Sequence, residues 1–137
     1  MILGPEVCRQ RLASAERAFL ATTGEDLQPH IVPITFALDG DELITAIDHK
    51  PKSTTALRRL HNIAWNPRVA LLCDQYDADW SKLWWVRADG HARVVPQTPV
   101  EPLAAKYPQY RQNPPAGPFI VVTIDNWTGW SYTSREH

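Results

Sequence analysis

The residues between positions 45 and 67 are the part of this chain whose types and spacing could do chemistry. Strand-forming residues at 45–47 lead into a cationic, hydroxyl-rich run at 50–54, and apolar residues then recur at a helical period over 56–64. We therefore predict a strand that runs into a helix, with Ser53 as the N-cap. Backbone N–H groups of a first helical turn, hydroxyls and ammonium groups together bind a doubly charged anion, most simply a phosphate. The alternative is that Lys50 and Lys52 are solvated and Ser53 only caps the helix.

The composition is that of one globular domain covering residues 1–137. Hydrophobic residues make up 44% of the chain and charged residues 21%, which suits a single core. The net charge of -1 provides no basic field for nucleic acid or an anionic membrane, so neither is expected as a partner. The first residues do not resemble a signal peptide, and no apolar run reaches membrane-spanning length. With only Cys8 and Cys73 and no disulfide framework, we expect a cytoplasmic protein.

The hydrophobic patterns predict a domain that is mainly β with short helices. Residues 29–38 are apolar at nearly every position, so we expect this strand to be covered on both faces, as in a barrel wall that also meets a partner subunit. About six strands in one small domain suggest a closed antiparallel barrel. The predicted strands are 17–23, 29–38, 42–47, 68–73, 83–95 and 119–124, with a short addition at 127–132. The predicted helices are 5–15, one that follows Ser53 and stops at Asn66-Pro67, and 98–107.

Several familiar catalytic signatures are absent from the sequence. It has no G-x-G-x-x-G, no P-loop and no G-x-S-x-G, and its five histidines show no metal-ligand spacing. No metal site is therefore predicted, and no catalytic side chain is identified. If the protein is an enzyme, we expect a cofactor to supply the chemistry.

The order of these pieces resembles the split β-barrel flavoprotein superfamily of pyridoxamine 5'-phosphate oxidase. Within it, the chain is most similar to the short branch of oxidoreductases that depend on the deazaflavin coenzyme F-420. This resemblance implies a six-stranded antiparallel split β-barrel and a homodimer with the cofactor at the subunit interface. The matching segments are Phe-Leu-Ala-Thr at 19–22, Pro-His-Ile-Val-Pro-Ile-Thr-Phe at 29–36, Lys-Pro-Lys-Ser-Thr at 50–54, the Leu-x-Asn-Ile-x-x-Asn-Pro-Arg-Val pattern at 60–69, and Trp-Trp-Val-Arg-Ala-Asp-Gly at 84–90.

The resemblance also implies which residues contact the cofactor. The phosphate would be held by Lys52, Ser53 and Thr54, with Lys50 in support. The ring system would lie along the second strand and be bordered by the third, and the long strand of the other subunit would contribute two side chains. The ring contacts implied are Val32, Pro33, Ile34, Ala46 and Ile47, with Trp85 and Arg87 from the other subunit.

Three departures from the oxidase are visible. His30 stands where an arginine commonly serves the phosphate, and the basic pair of the turn appears as Lys-Pro-Lys at 50–52. The chain is also shorter and lacks the C-terminal substrate-binding segment, which argues against vitamin B6 oxidation. Arg87 lies in a strand rich in bulky apolar residues, where an unpaired charge would be costly. We therefore expect Arg87 to meet a carboxylate or an anionic ligand.

Our leading functional hypothesis is an F-420-dependent oxidoreductase that transfers a hydride to an unsaturated organic small molecule. A first alternative keeps the fold and replaces the cofactor by FMN, with flavin oxidase or reductase chemistry. A second is a carrier that binds flavin or deazaflavin without catalysis. A third is a sensor of phosphate-bearing ligands or a degenerate barrel that acts as an interaction module.

Overall fold

The computed structural model describes residues 1–47 and 54–133, with the backbone alone for 54–57. Seven strands form one antiparallel sheet, and their hydrogen-bonded order is β2-β1-β5-β6-β7-β4-β3. The strands are β1 (Ala18–Thr23), β2 (Pro29–Ile34), β3 (Ala37–Asp39), β4 (Glu42–Ala46), β5 (Arg68–Gln75), β6 (Trp84–Val95) and β7 (Phe119–Ser131). The helices are α1 (Pro5–Ser14), α2 (Thr54–Trp65), α3 (Glu101–Lys106) and α4 (Pro108–Gln112).

The sheet curls into a split barrel that stays open between its two edge strands, β2 and β3, so the expectation of a closed antiparallel barrel is wrong. The prediction of a mainly β split-barrel fold with short helices is confirmed, but the strand count is seven rather than six, because the predicted strand at 29–38 is interrupted. At the interruption, the Thr35 carbonyl accepts a hydrogen bond of 2.7 Å from the Thr45 hydroxyl, and the Phe36 N–H donates to the Tyr107 hydroxyl at 3.1 Å. Side chains therefore satisfy backbone groups that a continuous strand would pair within the sheet.

The core fills the inner face of the sheet. Leu20, Leu71, Val86 and Val122 alternate inward along four neighbouring strands and are almost completely buried, with Phe36 packed among them. The long strand β6 bends at a register shift between Asp89 and Gly90, as the glycine predicted. This packing holds the central strands together, and the sheet extends from them to the edge strands β2 and β3 on either side of the opening.

The outer face of the sheet is not covered within one chain. Ile31 of β2 is 61% exposed, and Leu72 of β5 is 37% exposed. No described element packs on the outside of β2, so the expected cover of 29–38 on this face by a partner subunit stays a prediction.

Helix α2 is fixed to the sheet by one buried polar contact. The Asn62 amide, 1% exposed, donates to the Thr22 hydroxyl at 3.0 Å. Gly24 lies directly against the Asn62 side chain, where a Cβ atom would collide with the amide oxygen. The glycine thus permits the close approach that sets the position of α2.

The remaining connections differ from the sequence expectations in detail. The helix expected over 98–107 is two short helices, and the predicted strands at 119–124 and 127–132 are one continuous strand, β7. Cys8 and Cys73 are both buried and free. Among the described helices, none is long and apolar enough to cross a bilayer.

Candidate functional site

A cleft of about 360 Å³ opens between β2 and β4, at the split of the barrel. It forms there because β2 pairs with β1 alone and β4 pairs with β3 and β7, so nothing in the described sheet bridges the gap. Helices α2 and α4 contribute the remaining walls. The lining residues are Pro33, Ile34, Thr35, Thr45, Ala46, Ile47, Arg59, Tyr110 and Pro115.

The strand side of the cleft is an apolar wall. Pro33 and Ile34 end β2, while Ala46 and Ile47 lie at the end of β4. Ile34 and Ile47 are nearly buried and hold the wall in place from the core, whereas Pro33 and Ala46 are more accessible. A wall of this kind suits one face of a flat, apolar ring.

Hydroxyl groups provide the hydrogen-bonding part of the cleft. The hydroxyls of Thr35 and Tyr110 lie 2.9 Å apart and share one hydrogen bond, so the pair retains capacity for a ligand. Tyr110 is positioned by the edge of the Tyr107 ring, with the two ring centres 5.7 Å apart. Tyr107 is itself fixed because its hydroxyl donates to the Glu16 carbonyl at 2.8 Å. Burial raises the pKa of Tyr107, which keeps this hydroxyl neutral at physiological pH.

Arg59 is the one charged side chain among the described residues that line the cleft. Its neighbour Arg58 is engaged outside the cleft, where its guanidinium lies 2.6 Å from the Asp26 carboxylate. Burial, together with the charges of Arg58 and Arg59, lowers the pKa of His30. The imidazole is therefore neutral near pH 7.

The predicted phosphate residues are only partly described. Lys50, Lys52 and Ser53 lie outside the described residues, and Thr54 opens α2 as a backbone position whose side chain is not described. The predicted order of a strand followed by a helix is confirmed by β4 and α2. The phosphate contacts themselves stay predictions.

The predicted ring residues separate into two groups. Four of them, Pro33, Ile34, Ala46 and Ile47, line the cleft together. The fifth, Val32, points to the inner face of β2 and packs against the core.

The two residues predicted to act from the other subunit lie on the outer face of β6, away from the cleft of their own chain. Trp85 is half-buried there and stands opposite Trp130 of β7. The Arg87 guanidinium contacts the Asp89 carboxylate at 3.3 Å, which confirms that this arginine meets a carboxylate.

Sequence reasoning missed five lining residues. Thr35 and Thr45 are in segments that were recognised as strands, but their part in the cleft depends on the interruption after β2. The position of Arg59 could have been predicted, because it precedes Asn62 and Ile63 by three and four positions on a helix and so shares the face that they bury. Tyr110 and Pro115 had none, since their segment reaches the cleft only through tertiary packing. The five are Thr35, Thr45, Arg59, Tyr110 and Pro115.

A second and larger hollow, of about 880 Å³, lies between α1 and the ends of β5 and β6. It is lined by acidic and basic side chains together, including Asp74 and Arg11, and the Arg11 guanidinium stacks 4.9 Å from the centre of the Trp84 ring. None of the predicted site residues lines it. The smaller cleft at the split is the better candidate because it combines a flat apolar wall, hydroxyls and a single cation. No group of three metal-ligating side chains occurs in the described part of the chain.

Known structures share this fold. The FAD binding protein from Mycobacterium smegmatis is 21% identical, with a TM-score of 0.64 and 94% of each chain covered. A conserved hypothetical protein from Mycobacterium tuberculosis is 21% identical with a TM-score of 0.72, covering 95% of this chain and 86% of the other. A FAD-binding protein from Mesorhizobium loti is 18% identical with a TM-score of 0.66, and the match covers 94% of this chain and 95% of the other. At these identities the likeness establishes the fold alone.

The sequence comparison establishes the family. No curated protein sequence matches the chain. The family Pyridoxamine 5'-phosphate oxidase (PNPOx_N) matches residues 5–131, nearly the whole chain, and the open barrel with its cleft at the split agrees with that match. The chain therefore belongs to the pyridoxamine 5'-phosphate oxidase family.

Proposed function

We propose that this protein is an oxidoreductase that binds a flavin-type cofactor in the cleft between β2 and β4. The observation that carries the proposal is the meeting, at the split of the barrel, of an apolar wall, a hydroxyl pair and one arginine. A tricyclic redox cofactor needs an apolar surface for its ring, hydrogen-bonding groups for the ring edge and a cation for its phosphate, and the residues present fit these needs. The cleft volume also lies in the range of about 300–1,000 Å³ that is usual for small-molecule sites.

Each part of the cleft has a separate role in this proposal. Pro33 and Ala46 contact the ring face, and the buried Ile34 and Ile47 beneath them keep water from that side. The Thr35 and Tyr110 hydroxyls bond to heteroatoms at the ring edge. The bound cofactor would supply the hydride chemistry.

The cofactor tail would lie toward the start of α2. There the sequence places Lys50, Lys52, Ser53 and Thr54, whose ammonium and hydroxyl groups suit a phosphate. We propose these four residues as the phosphate site.

The cofactor is either the deazaflavin F-420 or an ordinary flavin, FMN or FAD. The resemblance of the sequence to the F-420-dependent branch supports the first. Fold neighbours that are FAD-binding proteins support the second. In the deazaflavin form the acceptor is a small unsaturated organic molecule, and in the flavin form the chemistry is that of a flavin oxidase or reductase.

We also propose that two copies of the chain form a homodimer through the outer face of the sheet. The strand register puts Pro33, Phe19, Leu72 and Arg87 in one row on that face, and Ile31 stands beside it. Because Pro33 belongs both to this face and to the cleft, a copy seated here would cover the open side of the cleft. Trp85 and Arg87 of that copy would then approach the cofactor.

A titration tests the proposal. Purified protein is mixed with F-420, FMN or FAD while tryptophan fluorescence is followed, with Lys52→Ala as the phosphate-site variant. Micromolar binding of F-420 alone supports the deazaflavin form, and binding of FMN or FAD supports the flavin form. Binding without turnover on enones, quinones and tetrapyrroles indicates a carrier. If no cofactor binds, the proposal fails.

A further inference from the structure

We infer that Tyr107 is a positioning residue that holds the hydroxyls of Thr35 and Tyr110 where they recognise the pyrimidinedione edge of the ring. Tyr107 does not itself line the cleft. The pyrimidinedione edge, with carbonyl groups on either side of an N–H group, is shared by flavins and the deazaflavin. The inference rests on the proposed function and names the part of the cofactor that this end of the cleft selects.

The Tyr107 hydroxyl makes one hydrogen bond to each of two separate backbone segments. It accepts from the Phe36 N–H, directly after Thr35, at 3.1 Å, and it donates to the Glu16 carbonyl at 2.8 Å. Glu16 precedes β1 and Phe36 lies in the interruption after β2, so one oxygen atom ties the edge strand of the opening to the start of its neighbour. Because a hydroxyl has a single proton to donate, the two bonds together fix its orientation.

The backbone of Tyr107 joins α3 to α4, the helix that carries Tyr110. Its N–H donates to the Leu103 carbonyl at 2.9 Å, and its carbonyl accepts from the Tyr110 N–H at 3.0 Å. Leu103 is completely buried in an apolar cluster with Ala37 and Ile44, which fixes α3 to the sheet. The ring of Tyr110 also meets the ring of Tyr107 edge to face, with the ring centres 5.7 Å apart. The position of the Tyr110 hydroxyl therefore depends on Tyr107.

The chemistry of the hydroxyl pair selects the edge of the ring. The Thr35 and Tyr110 hydroxyls lie 2.9 Å apart and share one hydrogen bond, so the pair keeps a proton to donate and lone pairs that can accept. Such a pair matches a ring edge on which carbonyl oxygens alternate with an N–H group, and the opposite, benzenoid edge lacks this alternation. Hydrogen bonds weaken steeply as their angles become less favourable, so the match requires that both hydroxyls are held in place.

A set of hydroxyl deletions tests the inference. Tyr107→Phe keeps the ring and the backbone and removes only the hydroxyl, and it is compared with Tyr110→Phe and with the double variant. Tyr76→Phe, at a residue that is 72% exposed and does not line the cleft, is the matched control. Affinities for lumiflavin, the flavin ring without a phosphate-bearing tail, and for its N3-methyl form are measured by tryptophan quenching. If the protein binds only the deazaflavin, the tailless deazaflavin ring and its N3-methyl form are used.

The expected result is a change in the preference between the two ring forms. The wild type should bind lumiflavin about 3-fold to 10-fold more tightly than the N3-methyl form, because methylation removes about one hydrogen bond. Tyr107→Phe and Tyr110→Phe should each reduce this preference to less than about 2-fold, and Tyr76→Phe should keep it. The double variant should lose no more than Tyr110→Phe alone. No preference in the wild type, an unchanged preference in Tyr107→Phe, or a further loss in the double variant would overturn the inference.

A measurement on the ligand-free protein separates this inference from the proposed function. In protein labelled with 3-fluorotyrosine, the fluorine resonance of Tyr110 should move or broaden in Tyr107→Phe, while that of Tyr76 should stay unchanged. If this occurs and no ring binds, the proposed function fails and the role of Tyr107 in holding Tyr110 stands. If the Tyr110 resonance is the same in Tyr107→Phe as in the wild type, the positioning role is refuted even where a ring binds.

Discussion

Lys106 is a buried amine in the helix pair that carries Tyr110 to the cleft, and replacing it should stabilise the protein. Its Nζ atom has no hydrogen-bond partner among the described residues and lies 3.7 Å from the centre of the Phe36 ring. Burial lowers the pKa of Lys106 to about 8, although Cys73 and Glu16 act in the opposite direction. The charged form is therefore destabilised in the folded state.

The size of the effect of Lys106→Met follows from these contacts. A fall in pKa from 10.5 to about 8, at about 1.4 kcal/mol per pH unit, sets an upper limit of about 3.5 kcal/mol. Because the side chain is only half-buried, solvent screening reduces this cost to about 1–2 kcal/mol. The contact of the cation with the Phe36 ring recovers about 0.5–1 kcal/mol. We therefore expect Lys106→Met to raise the free energy of unfolding by about 1 kcal/mol at pH 7.

The stability difference between Lys106→Met and the wild type should change with pH in a direction that the lowered pKa determines. Below pH 8 the lysine is charged in both states and its burial cost is complete, whereas above pH 10.5 it is neutral in both. The advantage of Lys106→Met should thus shrink between pH 8 and 10.5 as the wild type gains stability. Urea unfolding followed by tryptophan fluorescence at pH 7 and pH 10 measures this, with the exposed Lys82→Met as the control. A loss of stability at pH 7, or a difference that does not change with pH, would refute the reasoning.

Three further predictions follow from other contacts. Asn62→Ala removes the buried bond to Thr22 and should lower the free energy of unfolding by about 2–3 kcal/mol in urea titrations; a change below about 0.5 kcal/mol would contradict the anchoring role of this bond. Leu72→Glu should convert the proposed homodimer to a monomer in sedimentation experiments, whereas Val94→Glu, at a comparably exposed residue of β6, should not. Because the folded-state pKa of His30 is lowered, its stabilising contribution is complete above pH 6.5 and is lost as the pH falls through the folded-state pKa. His30→Gln should therefore unfold with a weaker pH dependence between pH 7.5 and 5, and an unchanged dependence would contradict burial of the neutral ring.

The sequence predicted those parts of the fold that depend on local pattern. The alternation along β1 and β6, the helix after β4 and the bend at Gly90 were all visible, because each is set by side-chain period or by one glycine. The interruption after β2 was not visible. It requires Thr45 and Tyr107, ten and seventy-one residues from their backbone partners, to supply hydrogen bonds that only the folded chain brings together.

The candidate site divides in the same way. Pro33, Ile34, Ala46 and Ile47 were predicted because they occupy strand ends that the family resemblance places beside a ring, and the structure brings them into one cleft. Arg59 and Tyr110 arrive from helices whose orientation is decided by distant contacts, Asn62 on Thr22 and Tyr107 on Glu16. Those contacts join residues far apart in the chain, so the local sequence pattern could not predict them.

The most direct test of the central claim is whether filling the cleft abolishes cofactor binding. Ala46→Phe places a ring where the flavin or deazaflavin would lie, and Ala64→Phe adds the same ring at an exposed position of α2. Dissociation constants for F-420 and FMN are measured for both variants after circular dichroism has shown that they are folded. We expect micromolar binding by the wild type and Ala64→Phe and a loss of at least about 100-fold in Ala46→Phe, since a filled cleft leaves no space for the ring. Wild-type affinity in a folded Ala46→Phe variant would contradict the account.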